Sequence, residues 1–453
     1  MKRYAAAVCL LSLTGCTVGP KYHRPDVSPP AAYRNNFPGQ PASAASLGDE
    51  KWWEVFQDSE LQKLIRTALQ QNFDARIAAS RILQAQAQVG IAHANQLPSL
   101  SGGPEFLTEH LPIFGFSAFS LLASFSWDID FWGKYRSATE AARANLLAAE
   151  WNRREVMATL VESLAAAYFQ LRELDMELDI SRRTLVSRQR SLQLTETLLH
   201  GGATSLLDVR QAQQLVETAA ASIPDLERQI RQEEDQISTL IGANPEDIPR
   251  GLPLTGQPVP PTVPAGLPSR LLERRPDIRQ AEQLLVAANA EIGVARAQFF
   301  PSLPLTAAAG VESIHLSNLL TSPSWNANVP LNESIFNGGA LRSNLHLTEA
   351  QREQAVLTYR QTIQRAFQQV SDALIAYQKY REYREHEEAL TTAAQDADRL
   401  SDLRYRAGST SYLEVLSSET NFYSAQLDLA RARLGERLSL VQLYIALGGG
   451  WEQ

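Results

Sequence analysis

Asp277-Ile278-Arg279, Gly293-Val294-Ala295-Arg296-Ala297 and Phe300-Pro301-Ser302-Leu303 restate, 203 residues later, a series already present as Asp74-Ala75-Arg76, Gly90-Ile91-Ala92-His93-Ala94 and Leu97-Pro98-Ser99-Leu100. Gly133-Lys134-Tyr135-Arg136-Ser137 returns as Gly339-Ala340-Leu341-Arg342-Ser343 at an offset of 206. At that same offset Gly202-Ala203-Thr204-Ser205-Leu206-Leu207-Asp208-Val209 returns as Gly408-Ser409-Thr410-Ser411-Tyr412-Leu413-Glu414-Val415. A near-constant offset over four blocks means that one long unit was duplicated, so the fold carries internal pseudo-symmetry.

Working outward, each repeat reads as helix, two strands, long helix, tight turn, long helix. Ile363, Phe367, Val370, Leu374 and Tyr377 recur at 4-3-4-3 spacing, as do Ala219, Ile223, Leu226 and Ile230. That 3.5-residue period is a coiled-coil seam. Ser137 to Leu199 contains no proline and would be about 95 Å long as one helix. Ser343 to Arg406 is equally uninterrupted. A solvated single helix does not account for the stripes, because each needs a surface to bury against. The rods break at Gly201-Gly202 and at Gly408, where glycine is the expected helix stop. Thr204 or Ser205, and Thr410 or Ser411, then cap the next helix. Pro224 should kink or loosen the fourth helix.

Phe119, Leu121, Ala123, Phe125 and Trp127 alternate with Ser120, Leu122, Ser124, Ser126 and Asp128. Leu303 to Glu312 and Trp325 to Asn332 alternate likewise, and a weaker strand lies near 99–109. Ten-residue segments with one apolar face suit a transmembrane β-barrel. A half-buried sheet in water shows the same alternation. The lipid-anchored start and the rods favour the barrel. An open four-stranded sheet leaves two unpaired edges in lipid, and bacterial barrels begin at eight strands, so at least two chains must share one barrel.

Lys2 and Arg3 precede an apolar run from Ala5 to Leu13, closed by Thr14-Gly15-Cys16. This is an export signal, too short to span a bilayer, which takes about 20 apolar residues. Leu13-Thr14-Gly15-Cys16 resembles the bacterial lipobox, whose cysteine is acylated (palmitate or a similar chain) and becomes the first mature residue. Thr17 in place of Asp favours the outer over the inner membrane. The expected divisions are a signal at 1–15, an extended arm at 16–57, a first repeat at 58–241 (strands near 99–109 and 117–128), a Pro-rich linker at 242–267 and a second repeat at 268–453 (strands near 302–312 and 325–335).

The formal charge is -8, and no basic cluster argues for nucleic acid. The seven histidines, His23, His93, His110, His200, His315, His346 and His386, make no metal-spaced pair. Past the signal Met157 and Met176 are the only methionines, so soft-metal ligands are scarce. No phosphate loop or nucleophile motif occurs, and Gly448-Gly449-Gly450 lacks a following Lys-Ser/Thr. The chain reads as a non-enzyme without cofactor or metal, its energy supplied by a partner.

Four features together resemble one family: the lipobox with Val18-Gly19-Pro20-Lys21-Tyr22-His23-Arg24-Pro25, the Trp52-Trp53…Phe56-x-Asp58…Leu61 segment, the duplicated Pro-Ser-Leu strand entries, and Ala446-Leu447-Gly448-Gly449-Gly450-Trp451. The chain is similar, over essentially its whole length, to the TolC superfamily of outer-membrane factors, OprM-like lipoprotein branch. The resemblance implies a mainly α fold with a transmembrane β-barrel: a homotrimer with a twelve-stranded barrel in outer-membrane lipid and a coiled-coil α-barrel reaching through the periplasm. It implies two further partners, a periplasmic adaptor and an inner-membrane pump, usually proton-driven. The function implied is a passive export duct for small molecules such as drugs. The alternatives are a non-conducting coiled-coil lipoprotein scaffold or, among ducts, a metal-ion or polypeptide exporter.

In the family the periplasmic end closes with rings of side chains just past the second tip. Leu413 matches the apolar ring. The branch's following Asp and Arg fall on Ser417 and Thr420, so the charged latch is absent at its usual place, and Glu414 or Glu419 stands in or Leu413 closes alone. The expected aperture is Leu413, Glu414, Ser417, Asp208 and Arg210, with adaptor docking at Gly202, Thr204, Gly408 and Thr410. Glu414, if ionised and unpaired, would push the tips apart.

Overall fold

The computed structural model describes residues 17–34, 45–110, 115–258 and 263–451, without the side chains of 109–110 and 115–116. The signal and Cys16 therefore lie outside the described residues. In chain order the helices are α1 (Trp52–Val55), α2 (Ser59–Gln71), α3 (Phe73–Ala94), α4 (Lys134–His200), α5 (Leu206–Leu240), α6 (Pro268–Arg274), α7 (Pro276–Ala297), α8 (Ala340–Arg406) and α9 (Tyr412–Ala446). The duplication shows in their lengths. α3 and α7 have 22 residues each, α4 and α8 have 67, and α5 and α9 have 35. α5 runs unbroken through Pro224, and the Ser222 hydroxyl donates to the Ala219 carbonyl in that turn at 2.8 Å. No described helix is long and apolar enough to cross a membrane.

Two compact units are present, and each draws on both sequence repeats. One takes the described residues up to Val27 with 79–152 and 277–362. It holds one antiparallel sheet, β1 (Ser99–His110), β2 (Gly115–Asp128), β3 (Pro304–Ser313) and β4 (Pro323–Asn328), in the order β1-β2-β3-β4. The register sets Leu100 opposite Phe125, Phe106 opposite Phe119, Leu121 opposite Val311, Trp127 opposite Leu305 and Ala309 opposite Trp325. Residues in register share a face, so these form one apolar surface. The Phe106 and Phe119 rings lie 4.8 Å apart. Ser101, Ser124, Ala308 and Asn326 fall on the opposite face.

β4 ends at Asn328, well short of the expected 335. Continuing its register with β3 would set Pro330 opposite Pro304. Neither proline has an N–H, so the ladder loses a donor on both sides at once. Beyond that pair the pairing resumes as a single bridge, with Ser302 and Asn332 exchanging backbone hydrogen bonds of 2.8 and 3.1 Å.

The N-terminal arm is fastened in this unit, against α7. Arg24 pairs with Glu282 at 2.9 Å, and Asn289 Nδ2 donates to the Pro20 carbonyl at 2.9 Å. A Cβ on Gly293 would stand 3.2 Å from the Gly19 Cα and 2.7 Å from Ser137 Oγ, so the repeated glycine here admits the arm's backbone. Its counterpart Gly90 has open space around it.

The other unit takes 28–78, 153–276 and the chain from Ile363 onward. Its core contains Leu61, Ile65, Leu164, Tyr168, Leu171, Ile237, Leu254, Tyr377 and Tyr444. α2 buries Leu61, Leu64, Ile65 and Ala68, one face at helical spacing. Full burial of each large apolar side chain is worth roughly 1.5–3 kcal/mol. Asp58 caps α2 by accepting from Glu60 and Leu61 amides. The same carboxylate accepts from Tyr168 Oη at 3.0 Å, Leu252 N at 2.8 Å and Gln257 Nε2 at 2.6 Å. Asp58 thus ties the Pro-rich linker to the helices, and Ile248 and Leu254 of that linker are buried.

Candidate functional site at the two hairpin tips

The α4–α5 and α8–α9 turns both lie in this second unit and share one geometry. Ala203 N donates to Leu198 O at 2.8 Å and Gly202 N to Leu199 O at 3.0 Å. Ser409 N donates to Arg404 O at 2.9 Å and Gly408 N to Tyr405 O at 2.9 Å. Both are Schellman endings, with Gly202 and Gly408 at φ of 73° and 69°. No neighbour crowds either glycine, so the left-handed backbone alone demands the residue.

The next helices are capped unequally. Ser205 caps α5 through a reciprocal box. Its amide donates to Asp208 Oδ2 at 3.0 Å, and its hydroxyl accepts from Asp208 N at 3.3 Å. Thr204 Oγ1 adds a 2.6 Å bond to the same carboxylate. These bonds, Thr204's foremost, hold Asp208 below the usual carboxylate range. Ser411 precedes α9 but makes no side-chain cap bond. There Thr410 Oγ1 donates to Glu414 Oε2, and Arg404 Nη1 reaches Glu414 Oε1 at 2.6 Å. Glu414 thus stands where Asp208 stands in the first tip, with an ion pair to α8 added. It is paired rather than free, so the expected push between tips is reduced.

Leu413 is 60% exposed, with Leu206 and Leu207 exposed at the first tip. Its neighbour Tyr412 is buried with Ala212 and Val415, and the Tyr412 and Tyr405 rings are 5.4 Å apart. That contact fixes α9 to α5 and leaves Leu413 on the open side. Ser417 is exposed, and Thr420 Oγ1 turns back to the Leu416 carbonyl at 2.7 Å. Arg210 is exposed and donates to Gln213 at 2.7 Å, without reaching Asp208 or Glu414. The structure therefore gathers Thr204 with Asp208, and Thr410 with Glu414, and leaves Ser417 and Arg210 apart.

Sequence reasoning missed Arg404, Tyr405 and Arg188. Arg188 is almost fully buried, donates to the Leu215 carbonyl at 3.0 Å and lies over the Tyr423 ring at 4.9 Å. Tyr423 Oη in turn meets Ser181 Oγ at 2.9 Å and Ser222 Oγ at 3.3 Å. The one available sign was a lone Arg amid a helical apolar stripe, a signal shared by any solvated face.

The family model described as outer membrane efflux protein matches residues 64–243 and 267–449, once in each repeat. The chain is 36% identical to the probable efflux pump outer membrane protein TtgC of Pseudomonas putida, over 98% of this chain and 95% of that one. It is 34% identical to the cation efflux system protein CusC of Escherichia coli, over 98% and 97%. Among solved structures, the outer-membrane channel OprN superposes with a TM-score of 0.89 at 29% identity, over 96% of this chain and all of that one. The open state of the MtrE outer membrane channel of Neisseria gonorrhoeae gives 0.88 at 32% identity, over 96% and 99%.

Proposed function

The chain belongs to the outer membrane efflux protein family, and from that membership we propose that it is the outer-membrane duct of a three-part efflux pump. The observation that carries the reading is the open four-stranded sheet with one apolar face, joined in sequence to paired 67-residue helices. Edges β1 and β4 have no partner strand within the chain. In lipid such edges must be closed, and three copies close them as a twelve-stranded homotrimeric barrel. Cys16 is acylated and anchors each copy in the outer membrane. A periplasmic adaptor docks on the tips around Gly202, Thr204, Gly408 and Thr410. A proton-driven inner-membrane pump supplies the energy. Leu413, with Glu414 and Ser417 behind it and Asp208 and Arg210 on the neighbouring tip, surrounds the periplasmic aperture.

The cargo is small organic molecules. The TtgC and SrpC relatives carry toluene and solvent in their names, and CusC carries cation. Met157, one of the two methionines outside the signal, is buried, so the chain offers few soft ligands to a metal path. Expression in a host deleted for its own outer-membrane channel tests this. Restored resistance to toluene and organic antibiotics, without restored copper or silver resistance, is the expected result. Restoration of metal resistance alone reverses the cargo assignment, and restoration of neither overturns the duct.

A further inference from the structure

Glu419 lies on α9 six residues beyond Leu413, and the aperture geometry gives it no task. A cavity of about 270 Å³ is lined there by Arg183 and Arg188 of α4, Gln395 and Asp398 of α8, and Glu419 and Tyr423 of α9. Glu419 Oε2 is buried and, among the described residues, has no hydrogen-bond partner. The charged and titratable groups facing it come from three helices. α4 brings Arg188, with Arg183 on the cavity lining. α8 brings Asp398 and Asp402, and α9 brings the phenols of Tyr412 and Tyr423. α5 adds uncharged groups only, the Leu215 carbonyl and the Ser222 hydroxyl.

Arg188 is already committed to Leu215 and to the Tyr423 ring face, which weakens it as a counter-ion. The carboxyl therefore sits in low dielectric between one preoccupied cation and two acids. Burial pushes Glu419 up to about 7, Asp398 adds to the rise, and Arg188 and Ser191 oppose it. Asp398 is itself raised, by burial first and by Asp402 second.

We propose that Glu419 is a proton-operated brace beside the second tip: neutral, it allows α9 to pack against α4 and α8; ionised, it repels Asp398 and Asp402 and loosens α9 there. The brace replaces, at a different place and between helices of one chain, part of the hold that Ser417 and Thr420 do not give. Its sign follows from linkage. A carboxyl whose value is raised by folding supports the packed form fully below its ordinary value of 4.5, and that support is lost as pH rises from there through about 7. Mildly acidic conditions keep the tip packed, and alkaline conditions relax it.

The inference rests on the duct reading for one of its two readouts, so both are needed. In the purified full-length protein, infrared titration should show a protonated-carboxyl band with a midpoint near 7 that is missing from Glu419→Gln. Asp398→Asn should move that midpoint down by removing the repulsion. In planar bilayers, wild-type conductance should rise several-fold between about pH 5.5 and about pH 8, while Glu419→Gln stays at the low value. A wild-type band with an ordinary carboxylate midpoint, an unmoved midpoint in Asp398→Asn, or a Glu419→Gln channel that keeps the wild-type pH response overturns the brace. A wild-type protein that conducts at no pH overturns the duct reading instead, and the infrared arm still decides the brace.

Discussion

Asp58 shows how much one side chain carries. It is fully buried, and five donors converge on its two oxygens: Glu60 N, Leu61 N, Leu252 N, Tyr168 Oη and Gln257 Nε2. Burial works to raise its pKa, but the bonds from Gln257, Tyr168 and the two backbone amides outweigh it and hold the carboxyl below its ordinary value. Removing the carboxylate strands several buried donors, each costing about 1–3 kcal/mol. Asp58→Ala should therefore lower the thermal midpoint of the solubilised protein at neutral pH by many degrees. The sign of the pH dependence is opposite to that of Glu419. A depressed carboxyl contributes stability above its unfolded value, near 3.9, and loses it as pH falls through the lower folded value. The gap between wild type and Asp58→Ala should thus narrow in acid below about pH 4. A gap that is constant with pH would place the effect in packing rather than charge. The Trp52-Trp53…Phe56-x-Asp58 segment drew notice in the sequence only by resemblance; the five donors come from residues as far away as Gln257, and no local pattern announces them.

At the scale of elements the tips decide more than any single residue. Gly202 and Gly408 hold φ near +70° and each donates its amide inside a Schellman turn. Proline there reverses φ and removes the donor, so Gly202→Pro or Gly408→Pro should cut adaptor crosslinking while the trimer still forms. Unchanged crosslinking together with unchanged drug export would refute docking at these turns. Leu413 is the exposed apolar group at the second tip, and a ring of leucines can dewet a constriction. Leu413→Ser should raise bilayer conductance and antibiotic leak several-fold, more than Ser417→Ala does. The Arg404–Glu414 pair is exposed and worth about 0–1 kcal/mol, so Arg404→Ala should have the smaller effect. If Glu414→Gln or Arg210→Ala opens the channel while Leu413→Ser does not, the constriction lies elsewhere. The rods and glycine stops were legible because helix periodicity and helix termination are local rules. The true end of β4 was not, because the proline pair that breaks it forms only when residues 304 and 330 meet across the sheet. Nor was the mixing of both repeats within each compact unit, since β2 pairs with β3 across the linker.

For the whole molecule the question is whether the sheet lives in lipid, because everything said about edges, trimer and duct depends on it. Cys16 offers only a partial answer. Acylation holds a chain at the membrane, but a closed barrel holds itself there, so Cys16→Ala should abolish lipid labelling and still leave some inserted trimer. Lipid label persisting in that variant would remove the lipobox assignment. The two faces of β2 give the sharper test. Leu121 is paired with Val311 and lies on the apolar face with Phe119 and Phe125, and it is 44% exposed. Ser124 lies on the other face, opposite Ser101 and Ala308. In a lipid-embedded barrel an arginine on the outer face costs about 2–4 kcal/mol near the midplane, and a trimer bears that cost three times. Leu121→Arg should therefore reduce assembled trimer in outer-membrane fractions by an order of magnitude or more. Ser124→Arg should assemble normally, project three guanidinium groups into the lumen and shift the channel toward anions in reversal-potential measurements. In a sheet bathed in water, by contrast, both arginines would be tolerated and neither would alter selectivity. Equal assembly of the two variants would sink the barrel, and with it the argument that the free edges of β1 and β4 require further copies of the chain.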